Sequence, residues 1–350
     1  MSLFRYLWWP FAVLVDGVTR LRNHLYAIGH KKSFEFATVV ISIGNLNVGG
    51  SGKTPMIEYL IRLLSPHYKI ATLSRGYGRS TRGFRIAGTQ DNATTLGDEP
   101  YQLYKKFNSI YVAVGEERAL AIPTILNECP DVQVILLDDA FQHRAVVPQF
   151  SVLVTDFHKP FFTDYLLPMG RLREARVGAA RADALVVTKC PPSWQHSQTV
   201  IGASVKTYAP GKPLYFATIA YGQPVPLGTS SKLSANVVLV TGIANAKPFV
   251  DYVAQRYKIK AHVQFADHHR YTQGNIQKIN LQAAGCSIIT TEKDMVKLIA
   301  PALQPLVDEA NWFYLPMSME FAENGSEFDA QVLALVAEKA EQVNTFSQDL

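Results

Sequence analysis

The segment from Val39 to Pro55 constrains this chain most: an apolar run rich in β-branched residues that empties into Asn47-Val-Gly-Gly-Ser-Gly-Lys-Thr54. This is the layout of a phosphate-binding loop, with Asn47 in place of the usual first glycine and Gly49, Gly50, Gly52, Lys53 and Thr54 all present. Asn tolerates left-handed backbone angles better than most residues, so the replacement is sterically mild. Glycines let backbone N–H groups of Asn47, Val48 and Ser51 close around phosphate oxygens. Lys53 is then expected to reach the terminal phosphates of ATP, and the Thr54 hydroxyl to ligate Mg²⁺. A helix starting near Gly52, with Met56, Leu60, Ile61 and Leu64 on one face, adds its positive N-terminal end.

The rest of the chain suits a fold built around such a loop. Short apolar runs at Lys69–Ser74, Ile110–Val114, Val132–Asp138, Ser151–Thr155 and Ala184–Thr188 alternate with helical stretches, which predicts an α/β doubly wound sheet of the P-loop NTPase type. Ligands in such sheets bind beyond the carboxyl ends of strands. We expect four parts: an N-terminal amphipathic, membrane-associated segment over 1–33, a loop-bearing core over 34–190, a connection over 191–235, and a smaller C-terminal α/β lobe over 236–350. Proline pairs punctuate the connection and suggest a hairpin around Leu214–Tyr221. In the smaller lobe, strands are expected at Val237–Thr241, His262–Phe265, Ser287–Thr290 and Trp312–Leu315, with a helix over Pro248–Arg256.

Composition narrows the partners. A chain of 350 residues with 48% apolar content supports packed cores, and its three cysteines are too scattered for a disulfide framework or a zinc site. The net charge of +5 fits anionic lipid or phosphate, and no basic run or aromatic RNA-binding signature calls for nucleic acid. Leu3–Val15 is nearly all apolar and holds Trp8 and Trp9, but it is shorter than the ~20 residues a spanning helix needs. Basic Arg20, Arg22, Lys31 and Lys32 follow it, which suits the membrane interface; a core helix with buried tryptophans is the alternative. A secretory signal is disfavoured, because no basic region precedes the apolar run and no small-residue cleavage site follows it.

Candidate chemistry gathers at the strand ends. Val134-Ile-Leu-Leu-Asp138-Asp139 delivers two carboxylates where a phosphate-loop enzyme holds Mg²⁺, and Gln142 and His143 follow at the same edge. Arg171, Arg173 and Glu174 cluster in a turn-like stretch, either facing phosphate and metal or forming a surface salt-bridge group. Asp98 precedes a helix, and His268 and His269 end a strand in the other lobe; each is a candidate proton acceptor, with helix capping and lobe bridging as the structural alternatives. Arg75 and Arg118 add cations at strand ends or helix starts.

Taken in order, Ser42-Ile-Gly-Asn-Leu-Asn-Val-Gly-Gly-Ser-Gly-Lys-Thr-Pro55, Ser74-Arg-Gly-Tyr-Gly-Arg79, Gly97-Asp-Glu-Pro100, Asp138-Asp-Ala-Phe-Gln-His143, Gly170-Arg-Leu-Arg-Glu174 and Thr291-Glu-Lys-Asp294 resemble the tetraacyldisaccharide 4′-kinases, the lipid A 4′-kinase family of bacteria with an outer membrane. The resemblance runs from the N-terminal segment to about Pro316. It implies transfer of the ATP γ-phosphate to the 4′-hydroxyl of a tetraacyldisaccharide 1-phosphate, a lipid A precursor, by a peripheral protein on the cytoplasmic face of the inner membrane. It further implies Lys53 and Thr54 as the loop lysine and metal-ligating hydroxyl, Asp138 and Asp139 as the paired aspartates, the first on the metal and the second catalytic, and Glu174 as the metal-side glutamate. Asp98 with His268 falls on the acceptor side, and Arg118, Arg171 and Arg173 near phosphates. Ala140 departs from the glycine common in the family, which narrows the turn's backbone choices without removing a reactive group.

Two other classes are weighed against this one. A guanine-dependent switch should carry Asn-Lys-x-Asp after a strand, whereas Thr188-Lys-Cys-Pro191 lacks the aspartate. A non-enzymatic membrane adaptor fits poorly with intact Lys53, Thr54 and Asp138. The sequence sets no oligomeric state.

Overall fold

A computed structural model describes residues 3–229 and 232–348. Residues 1–2 and 349–350, the ends of the expected first and last segments, and 230–231 within the expected connection lie outside them. The described residues build two sheets. The larger runs, edge to edge, through Met317–Glu323, Leu214–Tyr221, Ala184–Thr188, Phe150–Asp156, Val39–Gly44, Val134–Asp138, Ile70–Ser74, Tyr111–Val114 and Arg85–Ile86. The smaller runs through Lys258–Gln264, Asn236–Thr241, Ser287–Thr291, Trp312–Leu315 and Val225–Pro226. All strand pairs in the interior of the larger sheet are parallel, and these strands are buried on both faces. That is why they read as continuous apolar runs rather than alternating ones.

The centre of this sheet positions the chemistry. Val39–Gly44 lies between Val134–Asp138 and Phe150–Asp156, with Ile43 in register with Asp138. The loop that leaves Gly44 and the aspartates that end the next strand therefore emerge side by side. Helix Lys53–Leu64 then folds back over the sheet, burying Met56, Ile57, Leu60, Ile61 and Leu64.

Two expectations are corrected here. Leu214–Tyr221 is not part of a hairpin inside a connection: it pairs in parallel with Ala184–Thr188 and antiparallel with Met317–Glu323, extending the large sheet. Tyr215, Phe216 and Ala217 point to both faces and are all buried, which an isolated hairpin could not achieve. The C-terminal lobe also ends earlier than expected. After Leu315 the chain returns to the large sheet, and helix Gly325–Gln348 packs Phe328, Val332 and Val336 into the core that holds Met56 and Leu60. Tyr59 Oη donates to Asp329 at 2.7 Å across this junction. Because Phe328 is fully buried, Phe328→Ala should cost about 3–5 kcal/mol of unfolding free energy, readable by denaturant titration.

Charged groups tie the lobes as well. Lys106 Nζ lies 2.7 Å from Glu58 on the loop helix and 2.5 Å from Glu292 at the start of a helix in the smaller lobe. Burial raises the Glu58 carboxyl, against the pull of Lys106.

The N-terminal helix Trp9–Ala27 overturns the buried-tryptophan alternative. Trp8 is 51% and Trp9 59% exposed, and Phe11, Leu14, Val18 and Leu21 also face outward. Only Ala12 of this helix is buried among the described residues. No helix of the described residues is long and apolar enough to cross a membrane.

Candidate active site

The loop is braced from behind, and two of the N–H groups expected to close around phosphate are already taken: Val48 donates to the Arg171 carbonyl and Ser51 to the Gly49 carbonyl. Gly52 sits at φ 89°, and a Cβ there would approach the Thr188 side chain to 3.1 Å, so glycine is required on both conformational and steric grounds. The Thr188 hydroxyl donates to the Ser51 carbonyl at 2.7 Å, and Lys189 bridges the Gly50 carbonyl and Asp156. Lys189 is thus a brace of the loop rather than part of a guanine reader. On the other side Asn47 is buried and donates through Nδ2 to Asp164 at 3.0 Å. Arg171 holds the same carboxylate at 2.9 Å, and its carbonyl accepts from the Val48 N–H at 2.8 Å. Burial works to raise the Asp164 carboxyl, but these donors, led by the Tyr165 N–H, hold it below the usual range.

Lys53, Asp138 and Asp139 converge in front of the loop. Lys53 Nζ is 3.4 Å from Asn45 Oδ1 and 3.7 Å from Asp139 Oδ1. Asp139 adopts a left-handed φ of 48° and accepts from Arg173 at 2.7 Å. Burial pushes its carboxyl up, yet Lys53 and Arg173 outweigh that and hold it below the ordinary carboxylate value. Asp138 behaves oppositely: burial, with Glu99 and Asp139 nearby, pushes its carboxyl up to about 7 in spite of Lys53 and Arg118. The Arg118 guanidinium is buried and donates to the Asp138 carbonyl at 2.7 Å, so it braces the aspartate turn. Arg75 stands exposed just past Ser74.

The raised Asp138 makes a signed prediction. In nucleotide- and metal-free protein, the folded state holds a proton that the unfolded chain releases near the ordinary aspartate value of 3.8. Stability from this group is therefore full at low pH and declines as pH rises to about 7, where the folded carboxyl ionises. Thermal melts of wild type and Asp138→Asn across this window should differ in slope, the variant losing this component of the decline.

A divalent cation fits this corner. Asp138 Oδ1 and Ser51 Oγ are each buried without a hydrogen-bond partner, and an unpaired buried carboxyl oxygen is a group that a divalent cation can take up. Among the described residues no group of three or more His, Cys, Asp or Glu could hold a metal. Glu174 stands slightly apart. It is 1% exposed, and it accepts from Gln142 at 3.1 Å, Asn23 at 2.9 Å and Arg181 at 2.8 Å. Gln142 in turn donates to the Asn45 carbonyl at 2.9 Å, linking Glu174 to the loop strand's exit.

Across the cleft, Asp98 opens helix Asp98–Lys106 after Gly97, whose φ of 96° swings the chain into the helix. His268 reaches it from the smaller lobe, Nδ1 to Oδ2 at 3.0 Å. The neighbouring His269 is occupied elsewhere: it stacks on Phe265 with ring centroids 4.3 Å apart and meets Asn275 at 3.1 Å. Sequence reasoning missed Lys293 and Lys297, which flank this pair. The Thr291-Glu-Lys-Asp294 motif was the available signal for the first. Asn45, Asp164 and Arg181 were also missed, as lone polar residues outside any spacing rule.

The arrangement can hold a triphosphate against Lys53 and present a carboxylate with an imidazole partner to a second reactant. Comparison with known proteins bears on what that reactant is. A family model described as tetraacyldisaccharide-1-P 4′-kinase matches residues 4–337. A tetraacyldisaccharide 4′-kinase of Flavobacterium johnsoniae is 41% identical over 97% of this chain and 100% of its own length. One from Bacteroides thetaiotaomicron is 38% identical over 97% and 95% respectively. Among solved structures, an Aquifex aeolicus LpxK crystallised with ATP matches with a TM-score of 0.75 at 26% identity, covering 95% of this chain and all of that one.

Proposed function

The chain belongs to the tetraacyldisaccharide-1-P 4′-kinase family, and on that premise we propose how its residues divide the transfer of the ATP γ-phosphate to the 4′-hydroxyl of a tetraacyldisaccharide 1-phosphate. The observation that carries the reading is the 3.0 Å contact between Asp98 and His268, which joins a carboxylate from one lobe to an imidazole from the other, while the next residue, Glu99, acts electrostatically on Asp138 at the end of strand Val134–Asp138.

The N–H groups of Gly50, Gly52, Lys53 and Thr54 and the Lys53 ammonium bind and orient the triphosphate, neutralising charge as it shifts toward the leaving β-phosphate oxygen. Asp98 accepts the proton of the 4′-hydroxyl while the hydroxyl oxygen bonds to the γ-phosphorus and the bond to the β–γ bridging oxygen breaks. The proton ends on Asp98 and ADP leaves. Thr54 and Asp138 are the residues that would hold Mg²⁺, with Glu174 acting behind them through Gln142; the ion supplies electrostatic stabilisation of the phosphoryl oxygens. Asp139 keeps Lys53 and Arg173 in place. Arg75, Arg171 and Arg173 line the approach for anionic groups, and Gln142 and Arg118 fix the aspartate turn.

The apolar N-terminal helix supports a peripheral position on the inner membrane's cytoplasmic face. Tyr6 and Trp9 form an open cleft of about 510 Å³ with Tyr165 and Met169, just before the Arg171 stretch. Aromatic residues of this kind favour the headgroup level. Trp8→Glu/Trp9→Glu should abolish co-sedimentation with anionic phospholipid vesicles while transfer to detergent-dispersed substrate falls far less. Equal vesicle binding by the variant would refute the membrane assignment.

The direct test is label transfer from γ-labelled ATP to detergent-dispersed tetraacyldisaccharide 1-phosphate with Mg²⁺. A bis-phosphorylated lipid is the expected product. ATP binding with no phosphorylated lipid would count against the reading.

A further inference from the structure

Helix Glu292–Leu298 packs against the helix that begins with Asp98, and it turns two ammonium groups toward the Asp98–His268 pair. Lys293 Nζ is 3.1 Å from His268 Nε2 and 3.3 Å from Asp267 Oδ1. Lys297 Nζ, on a side chain only 7% exposed, is 2.9 Å from Asp294 and 3.9 Å from Asp98 Oδ2. An ammonium donates and never accepts, so the ring nitrogen facing Lys293 must be the acceptor. The imidazole's one proton then resides on Nδ1, where it points at Asp98 Oδ2.

We propose that Lys293 is a positioning residue that fixes the His268 tautomer, and through it the orientation of the Asp98 carboxylate. With the proton on Nδ1, His268 donates to Oδ2. With the proton on Nε2, two lone pairs would face each other across 3.0 Å and the carboxylate would turn away. The geometry has a use on the acceptor side: among the described residues, the two side-chain contacts of Asp98, the His268 hydrogen bond and the Lys297 ion pair, both fall on Oδ2, which leaves Oδ1 to meet a substrate hydroxyl. The Lys297 ammonium stands 3.9 Å from the same oxygen, and Asp294 is anchored by the Gly242 N–H and the Thr291 hydroxyl at 2.8 and 2.7 Å. Three consecutive residues of Thr291-Glu-Lys-Asp294 thus act on this junction: Glu292 on Lys106, Lys293 on His268, and Asp294 on Lys297.

The inference rests on the reading of Asp98 and His268 as the acceptor-side pair, and its test separates the two. Long-range ¹H–¹⁵N spectra of the full chain with ¹⁵N-labelled histidine, with His268 assigned by its loss in His268→Gln, report which ring nitrogen carries the proton. Wild type should show Nδ1 protonated. Lys293→Met should move the pattern toward Nε2 protonation and lower turnover about tenfold with KM for ATP unchanged, a smaller loss than the about 10²–10⁴ attached to a proton acceptor itself. Lys293→Arg, which still donates, should restore both. A wild-type His268 protonated on Nε2 overturns the proposal without recourse to any variant of Lys293, as does a Lys293→Met protein whose spectrum and turnover match wild type. Unimpaired turnover in both Asp98→Asn and His268→Gln would instead overturn the assignment of the pair, and the inference with it.

Discussion

Asp98→Asn should lower turnover about 10²–10⁴-fold while leaving ATP affinity near the wild-type value. The substitution keeps the size of the side chain, its place at the start of helix Asp98–Lys106, and an oxygen for His268 to donate to. What it removes is the basic oxygen and the negative charge. Among the described residues the side-chain partners of Asp98 are His268 and Lys297, neither of them in the phosphate loop. The loss should therefore fall on transfer and not on nucleotide binding, the signature of a group whose work is done in the transition state. Initial rates of lipid phosphorylation beside a nucleotide titration without acceptor resolve the two. Near-normal turnover in Asp98→Asn would remove Asp98 from the proton path; weakened ATP binding of the same size as the rate loss would make it a nucleotide-site residue.

How much of this was legible beforehand depends on the distance over which each feature is encoded. The phosphate loop and Asp138-Asp139 are local: strand, turn and reactive residues lie within one short segment, and the parallel strands that carry them are apolar on both faces, so their pattern is hard to misread. Ala184–Thr188 was placed to the residue. Edge strands were harder. Lys258–Gln264 alternates exposed and half-buried residues along its length, and its period-two pattern of Ile259, Ala261 and Val263 was visible but diluted by lysines, so only its end was found. Leu214–Tyr221 and Met317–Glu323 find each other across a whole lobe, and no local pattern announces a partner so far along the chain. The site divides in the same way. Asp98 and His268 are 170 residues apart; the family resemblance joined them, while residue types alone left a helix cap and a bridging histidine equally open. Asp164, which secures both Asn47 and Arg171, is a single aspartate in an irregular stretch, and only the folded chain reveals it.

Lys53→Met should depress both halves of the reaction, unlike Asp98→Asn. The side chain is 13% exposed and its ammonium rests against Asn45 and Asp139, at the end of the loop proposed to take the triphosphate. Methionine retains the stem and its packing, so the loop should stay folded; the charge is lost where the phosphoryl group becomes most anionic. Removing one such preorganised electrostatic contact costs about 10²–10³ in turnover. Two further consequences follow from its neighbours. Asp139 loses one of the two cations that hold its carboxyl low, and Asp138 loses one that opposes its upward shift, so the acid corner should hold its protons to higher pH and bind a divalent cation less readily. Isothermal titration with ATP in the presence and absence of Mg²⁺ measures this directly: the gain in affinity that Mg²⁺ confers on wild type should shrink in Lys53→Met, whereas Asp98→Asn should keep it in full. A Lys53→Met protein with wild-type ATP affinity and transfer rate would dissociate the loop from the chemistry and leave the acids in front of it without their role.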